Sequence, residues 1–75
     1  MRRAHRIAAI TKTLVEQPHH IFAVGDFADL FGVARSTLSE DLAIIRATFE
    51  NLNMGRVESI SGAVGGVRYL PELTK

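Results

Sequence analysis

The strongest constraint on this fold is an apolar stripe along one segment, formed by Leu38, Leu42, Ile45 and Phe49. At about 100° of rotation per residue, these side chains fall on one narrow side of a helix. The opposite side of the segment is polar in its first half and carries small residues in its second half. We therefore predict an amphipathic helix over Arg35–Glu50, with its polar N-terminal half facing outward.

A tight break and a second, shorter helix are predicted just before this one. Gly32–Ala34 leave three residues between the two helices, and Phe27, Leu30 and Phe31 are expected to form the inward face of the shorter one. Asp26 is the predicted N-cap, because its carboxylate can accept hydrogen bonds from free backbone amides. A short helix joined by a tight turn to a longer one is typical of a helix-turn-helix.

Another helix and a short strand are predicted before this motif. Apolar residues recur at helical spacing from Ala4 to Gln17, and Pro18 disfavours helical geometry at the residue before it. The run "HIFAV", His20–Val24, is β-prone and predicts one edge strand. After the long helix, Asn53 and Gly55 offer left-handed positions that can end it.

The glycine-rich stretch "ISGAVGGVRYLP", Ile60–Pro71, could cradle a phosphate or turn one strand back on another. A dinucleotide-binding loop must lie between a strand and a helix, whereas "VRYLP" after these glycines favours a strand. The spacing also misses G-x-G-x-x-G, and no lysine-serine or lysine-threonine pair follows as in a P-loop. Gly65 and Gly66 readily supply the positive φ of a hairpin turn.

The predicted fold class is therefore mainly α with a small β-hairpin (α+β), a winged helix-turn-helix. The strand before the turn, "RVESIS", leaves one question open. Val57 and Ile60 cannot both face the core in one regular strand, because successive side chains alternate between faces. A β-bulge would resolve this, and the pattern does not decide it.

Composition excludes several classes of function. The chain has 75 residues, which is one small domain, and it contains no cysteine for a disulfide or a thiolate zinc site. The absence of cysteine fits the reducing cytoplasm, where we expect the protein, and no apolar run approaches the ~18 residues of a membrane span. Of the histidines His5, His19 and His20, the adjacent pair would point to opposite faces of a strand, and the sequence offers no carboxylate or cysteine to complete a metal-ligand set. No catalytic triad is credible in so small a domain. We expect no enzyme activity.

Two motifs carry a resemblance to a known family. "STLSEDLAIIRATFE", Ser36–Glu50, followed at a fixed distance by "GAVGGVRYLP", Gly62–Pro71, closely resembles the N-terminal domain of the purine operon repressor of Gram-positive bacteria. The opening "RRAHRIAAITKTLVEQPHHIFAV" is similar to that domain in layout, so the resemblance covers nearly the whole chain.

The resemblance implies a sequence-specific DNA-binding domain over residues 1–75, from a regulator that represses purine biosynthesis genes. It also implies a longer, homodimeric protein whose second domain is phosphoribosyltransferase-like. In that family phosphoribosyl pyrophosphate binds the second domain as an effector and weakens DNA binding. We therefore expect no cofactor within this domain and double-stranded DNA as its partner.

The predicted DNA contacts lie at both ends of the chain and at the start of the long helix. In a helix-turn-helix, the N-terminal residues of the second helix approach base edges in the major groove. Here those residues are Arg35, Ser36, Thr37, Ser39 and Glu40. Hydroxyl groups can meet phosphates or either kind of base edge, and an arginine can reach phosphate or guanine. Phosphate contacts are predicted for Arg68 in the wing and for Arg3 and Arg6, with Arg2, at the N-terminus.

Each of these contacts has a structural alternative. Ser36 or Thr37 could cap the helix, and Glu40 and Asp41 could stabilise its positive N-terminal end. Glu40 could also accept a hydrogen bond from a cytosine amino group. Asp41 lies nearer the core, and we expect an ion pair with an arginine of the first helix. Because net charge is only +1, a winged helix serving as a protein-interaction or dimerisation module is the alternative function.

Overall fold

The computed structural model describes residues 2–60, 62 and 65–71. Three helices and three strands follow one another in the predicted order. They are α1 (Arg3–Glu16), β1 (Phe22–Ala23), α2 (Val24–Phe31), α3 (Arg35–Leu52), β2 (Arg56–Ile60) and β3 (Gly66–Leu70). The prediction of a mainly helical fold with a small β-hairpin is confirmed.

The three strands form one antiparallel sheet in the order β1-β3-β2. β2 and β3 pair without interruption from Arg56 opposite Leu70 to Ile60 opposite Gly66. The bulge considered from the sequence is therefore absent from these strands. Val57 faces the core and is 1% exposed, whereas Ile60, three residues on, lies on the other face and is half-buried.

The apolar stripe of α3 packs in the core as predicted. Leu38, Leu42, Ile45 and Phe49 are all buried, and each contributes about 1.5–3 kcal/mol through loss of water contact. The described core comprises Ile10, Leu14, Phe27, Ala28, Leu38, Leu42, Ile45, Phe49, Val57, Val67 and Tyr69. It joins one side of each helix to the inner face of the wing strands, and so fixes which side of α3 remains exposed.

The inward face of α2 differs from the prediction at one position. Phe27 is buried and Phe31 is half-buried, but Leu30 is 73% exposed. In a helix, residues four apart lie about 40° from each other, whereas residues three apart lie about 60° away on the other side. Ala28 rather than Leu30 completes the buried side.

The helix starts also differ from the prediction, because backbone position and not side-chain capping sets them. α2 begins at Val24, directly after β1, with Ala23 as its N-cap, so the predicted N-cap at Asp26 is wrong. Asp26 instead lies in the first turn, where a carboxylate still favours the helix dipole. α3 has Ala34 as its N-cap and no side-chain capping bond, so capping by Ser36 or Thr37 is excluded too.

Left-handed residues end both helices of the helix-turn-helix. Gly32, at φ 65°, follows α2. Asn53, at φ 53°, follows α3, which ends at Leu52, two residues beyond the predicted end at Glu50. The hydroxyl of Tyr69 donates a hydrogen bond of 2.7 Å to the carbonyl oxygen of Met54, and its ring meets Phe49 edge to face. These contacts join the end of α3 to the wing.

Candidate nucleic-acid interface

The N-terminal half of α3 presents a polar surface opposite the buried stripe. Ser36, Ser39 and Glu40 are exposed there, and Thr37 is half-buried at the helix start. Because Leu38 and Leu42 are buried, the helix cannot rotate without exposing them, and the exposed set is held in a defined orientation. The structure therefore brings together on one surface the residues predicted from the sequence to read bases.

Arg35 begins α3 and contacts the helix before it. A Cβ atom added at Gly25 would lie only 2.6 Å from Nη2 of Arg35, so the guanidinium rests over the backbone of α2. The glycine leaves the space that this side chain occupies. Arg35 is nevertheless exposed at the junction of the two helices. Its cationic group therefore lies over α2, next to the exposed polar start of α3.

Asp41 is buried beside this surface and binds two arginines of α1. Its side chain is fully buried, and Arg6 is 6% exposed. Nε of Arg6 donates to one carboxylate oxygen, and Nη2 donates to the other at 3.2 Å. Nε of Arg3 lies 3.1 Å from the carboxylate as well. The predicted ion pair between Asp41 and the first helix is confirmed.

The same contacts remove Arg6 from the predicted phosphate contacts. Its guanidinium is enclosed against Asp41 and cannot reach a phosphate in this conformation. The hydrogen bond that Arg6 donates to Asp41 raises the pKa of Arg6, against the opposing effect of burial, and the charge of Asp41 raises it further. A raised pKa means that the charged form of Arg6 stabilises the fold at pH values below that pKa. Because the pKa of an arginine is strongly alkaline even before this increase, Arg6 stays charged at every pH at which the domain would be studied.

Arg3 connects the buried carboxylate to the exposed surface. Its Nη2 lies 2.8 Å from Oε1 of Glu40, with the two side chains 48% and 65% exposed. One guanidinium thus contacts a carboxylate of the core and a carboxylate of the predicted interface. Glu40 therefore carries a cation beside it, which reduces its repulsion of nearby phosphates.

The wing carries the other predicted phosphate contact. Arg68 lies opposite Glu58 across the hairpin, and its Nη2 and Nε are 2.6 Å and 2.7 Å from Oε1 of that glutamate. Of the two glycines predicted to supply a positive φ, Gly65 does so, at φ 71°, whereas Gly66 does not and is the first residue of β3. A strand directly after the turn is expected of a hairpin and not of a phosphate loop. Residues 61, 63 and 64 of the predicted turn lie outside the described residues.

Sequence reasoning missed Arg46, which lies between α3 and the wing. Its Nε donates to the carbonyl oxygen of Val57 at 3.3 Å, and its Nη2 donates to the hydroxyl of Ser59. Arg46 lies seven residues, or two helical turns, after Ser39, and so falls on the same side of α3. That spacing is a signal that the sequence offers. Arg46, however, lies beyond the N-terminal half of α3, and base contacts are expected only in that half.

A cleft of about 290 Å³ opens beside Arg46. Its lining residues are Val24, Ser39, Leu42, Arg46, Ser59, Ile60, Gly65 and Gly66. The set joins the predicted base-reading helix to the base of the wing. No acidic side chain is among these lining residues.

Two further features concern the part of the chain that the structure describes. Within it, no helix is long and apolar enough to cross a membrane. Nor do three or more histidine, cysteine, aspartate or glutamate side chains there form a group able to hold a metal ion.

These elements define a winged helix-turn-helix domain, with α2 and α3 as the helix pair and β2 and β3 as the wing. A family profile described as "Bacterial purine repressor, N-terminal" matches residues 2–71. The chain belongs to this family, and the resemblance inferred from its motifs is confirmed.

Curated relatives agree with this assignment. The chain is 38% identical over 72 residues to the purine biosynthesis transcriptional repressor PurR of Bacillus subtilis, covering 96% of this chain and 25% of that protein. It is 32% identical over 74 residues to the probable purine biosynthesis transcriptional regulator PurR of Streptococcus pneumoniae, covering 99% and 27%. It is 36% identical over 74 residues to the purine biosynthesis transcriptional activator PurR of Lactococcus lactis, also covering 99% and 27%. The chain thus spans about a quarter of the length of these relatives.

Proposed function

We propose that this chain is the DNA-binding domain of a cytoplasmic, non-enzymatic regulator of purine biosynthesis genes. The observation that carries the proposal is the polar, outward-facing start of α3, whose opposite side is held in the core. A helix presented in this way fits the major groove of double-stranded DNA. Membership of the purine repressor family and the names of the curated relatives support the choice of target genes.

Base recognition falls to the exposed residues of α3. The hydroxyls of Ser36 and Ser39 can donate to or accept from base edges, and Thr37 can add its methyl group against thymine. Glu40 is suited to accept a hydrogen bond from a cytosine amino group, since its carboxylate is exposed on the outer side of α3. Arg35, held at the junction of α2 and α3, can reach a phosphate or a guanine.

Phosphate contact falls to Arg3 and Arg68, both of which begin in ion pairs. Their side chains are 48% and 34% exposed, and their partners are Glu40 and Glu58. The Arg3–Glu40 pair is exposed, and such pairs contribute only about 0–1 kcal/mol, so a DNA phosphate can displace that carboxylate at little cost. Arg68 and Glu58 are half-buried, and the part of Arg68 that remains exposed is the part available to a phosphate. Such contacts set the register of the protein on the duplex, whereas α3 sets its sequence preference.

A salt titration tests the proposal. Fluorescence anisotropy would measure binding of the chain to duplexes from the promoters of purine biosynthesis genes and to scrambled duplexes of equal length. We expect tighter binding to the promoter duplexes and a log–log salt slope of roughly −0.9 for each phosphate contacted. Two copies joined by a flexible linker serve as a control for weak binding by a single domain. Salt-insensitive or absent binding by this linked form would refute the proposal.

The alternative of a protein-interaction or dimerisation module has one observation in its favour. Ile44 and Leu52, eight residues apart and about 80° from each other around α3, are 42% and 61% exposed. Light scattering at rising protein concentration would detect association through these residues. For the whole protein, we propose a homodimer with a phosphoribosyltransferase-like second domain. Phosphoribosyl pyrophosphate is the proposed effector of that second domain. Repression is the proposed direction of regulation, and a promoter–reporter assay would test it.

A further inference from the structure

Arg46 differs from three of the arginines that were predicted from the sequence as phosphate contacts. Arg3, Arg6 and Arg68 each contact a carboxylate. Arg46 instead donates to two uncharged oxygens, the carbonyl of Val57 and the hydroxyl of Ser59. Because neither oxygen carries a charge, the guanidinium keeps its full positive charge at the base of the wing. A guanidinium has five N–H donors, so donors also remain for a further acceptor.

The cleft beside Arg46 combines a cationic group with two residues that carry hydroxyls. Ser39 and Ser59 line it from α3 and β2, Gly65 and Gly66 line it without side chains, and the remaining lining is apolar, from Val24, Leu42 and Ile60. No acidic residue is among its described lining residues. At about 290 Å³ it has room for a phosphate group with several waters, since one water occupies about 30 Å³ of the liquid.

The position of the cleft selects the source of the anion. Ser39 belongs both to the surface proposed to face the major groove and to the lining of the cleft. A duplex that places α3 in its groove and the wing beside it must pass one strand between these two elements. The strand would bring a phosphodiester to this cleft, and arginine is well matched to phosphate oxygens.

We infer that the cleft between α3 and the wing binds one phosphate of the DNA backbone, with Arg46 as its principal ligand and Ser39 and Ser59 as hydroxyl donors. This inference rests on the proposed DNA-binding function and names a contact absent from the sequence-based set. Arg46 then has two roles, because the same guanidinium holds the wing strand at Val57 and Ser59.

The test compares three variants with the wild-type chain in the salt titration, using the linked two-copy form. Arg46→Gln removes the charge and Arg46→Lys keeps it. Arg56→Gln, the control, removes one charge from an exposed arginine of β2, the strand that Arg46 contacts. We expect Arg46→Gln to weaken binding to promoter and scrambled duplexes alike, by about tenfold, and to reduce the salt slope by about 0.9. Arg46→Lys and Arg56→Gln should keep the wild-type slope.

A second measurement locates the contact on the DNA. Single phosphates of the promoter duplex are replaced in turn by uncharged methylphosphonates. In the wild type, replacing the phosphate at one position per half-site should weaken binding. The same replacement should not weaken binding by Arg46→Gln any further, because that variant has already lost the contact. If Arg46→Gln does not fold, the same scan with Arg46→Lys should still find this position, which requires only the charge.

The outcomes separate the inference from the function on which it rests. If the wild type binds with a salt-dependent affinity and Arg46→Gln keeps the same slope, Arg46 only holds the wing and the inference is overturned. Loss of thermal stability in both Arg46 variants with no change in slope would overturn it as well. If the wild type itself shows no salt-dependent binding, the proposed function fails, and the inference fails with it.

Discussion

Replacing Asp41 with asparagine should destabilise the domain more than replacing the adjacent Glu40 with glutamine. Asp41 is fully buried, and Arg6, which binds it through two nitrogens, is 6% exposed. Asparagine keeps the shape and one acceptor oxygen but removes the charge. Breaking a buried pair from one side costs about 3–5 kcal/mol, and we expect the lower end, about 3 kcal/mol, because the remaining oxygen still accepts a hydrogen bond.

That magnitude is large for a domain of this size. At about 0.05–0.15 kcal/mol per residue, 75 residues have a total stability of about 4–11 kcal/mol. Urea unfolding followed by circular dichroism would measure the loss. With a slope near 1 kcal/mol per molar urea, the midpoint should fall by about 3 M for Asp41→Asn.

Two further variants make the test specific. Glu40→Gln changes an exposed carboxylate that contacts the same Arg3, and it should shift stability by less than about 1 kcal/mol. Replacing both partners, with Arg6→Met and Asp41→Leu, should recover most of the loss, since two apolar groups leave no buried charge. If Asp41→Asn costs no more than Glu40→Gln, the buried pair does not stabilise the fold and the argument is refuted.

Further predictions concern the wing and the DNA surface. Gly55→Ala should cost more than about 2 kcal/mol by urea unfolding, because Gly55 has φ 93° and a Cβ there would collide with the carbonyl oxygen of Leu70. Tyr69→Phe should cost about 1 kcal/mol in the same assay, through loss of its hydrogen bond to Met54. Arg68→Ala should weaken binding to all duplexes alike in anisotropy measurements, whereas Ser36→Ala should alter preference at particular base pairs.

Each of these has a control or a contrary result. Gly32→Ala has a positive φ but nothing within 4 Å of an added Cβ, so it should cost only about 1–2 kcal/mol. Equal losses at the two glycines would contradict the close approach at Gly55. An unchanged unfolding midpoint for Tyr69→Phe would mean that its hydroxyl contributes nothing. Identical binding profiles for Arg68→Ala and Ser36→Ala would contradict the proposed division between phosphate and base contacts.

The periodic parts of this fold were predictable from the sequence, because they depend on local geometry. The stripe from Leu38 to Phe49 determines which side of α3 is buried, and therefore also places Ser36 and Ser39 outside. The same geometry placed Asp41 at the edge of the core, where an arginine partner was expected and is present. Gly65 supplied the turn for the reason given from the sequence, its positive φ.

The remaining features depend on contacts between distant segments. Nothing local shows that Arg6 would be the buried partner of Asp41, which lies 35 residues away, and so would be lost as a phosphate contact. The start of α2 depends on the pairing of β1 with β3, including Phe22 opposite Val67, because this pairing sets where β1 ends. The helix begins directly after β1, so Asp26 lies inside its first turn and is not its N-cap. The contacts of Arg46 depend on the packing of the wing beside α3, which the local sequence does not show.

The arrangement around Asp41 has a consequence for how such domains can diversify. The carboxylate of Asp41, which secures α3 to α1, and that of Glu40 are adjacent in sequence, yet the first is enclosed and the second is open to water. Arg6 alone still satisfies the enclosed one when Glu40 or Arg3 changes. Substitutions at the outer surface of such a domain can change what it binds, while the ion pair between α1 and α3 stays intact.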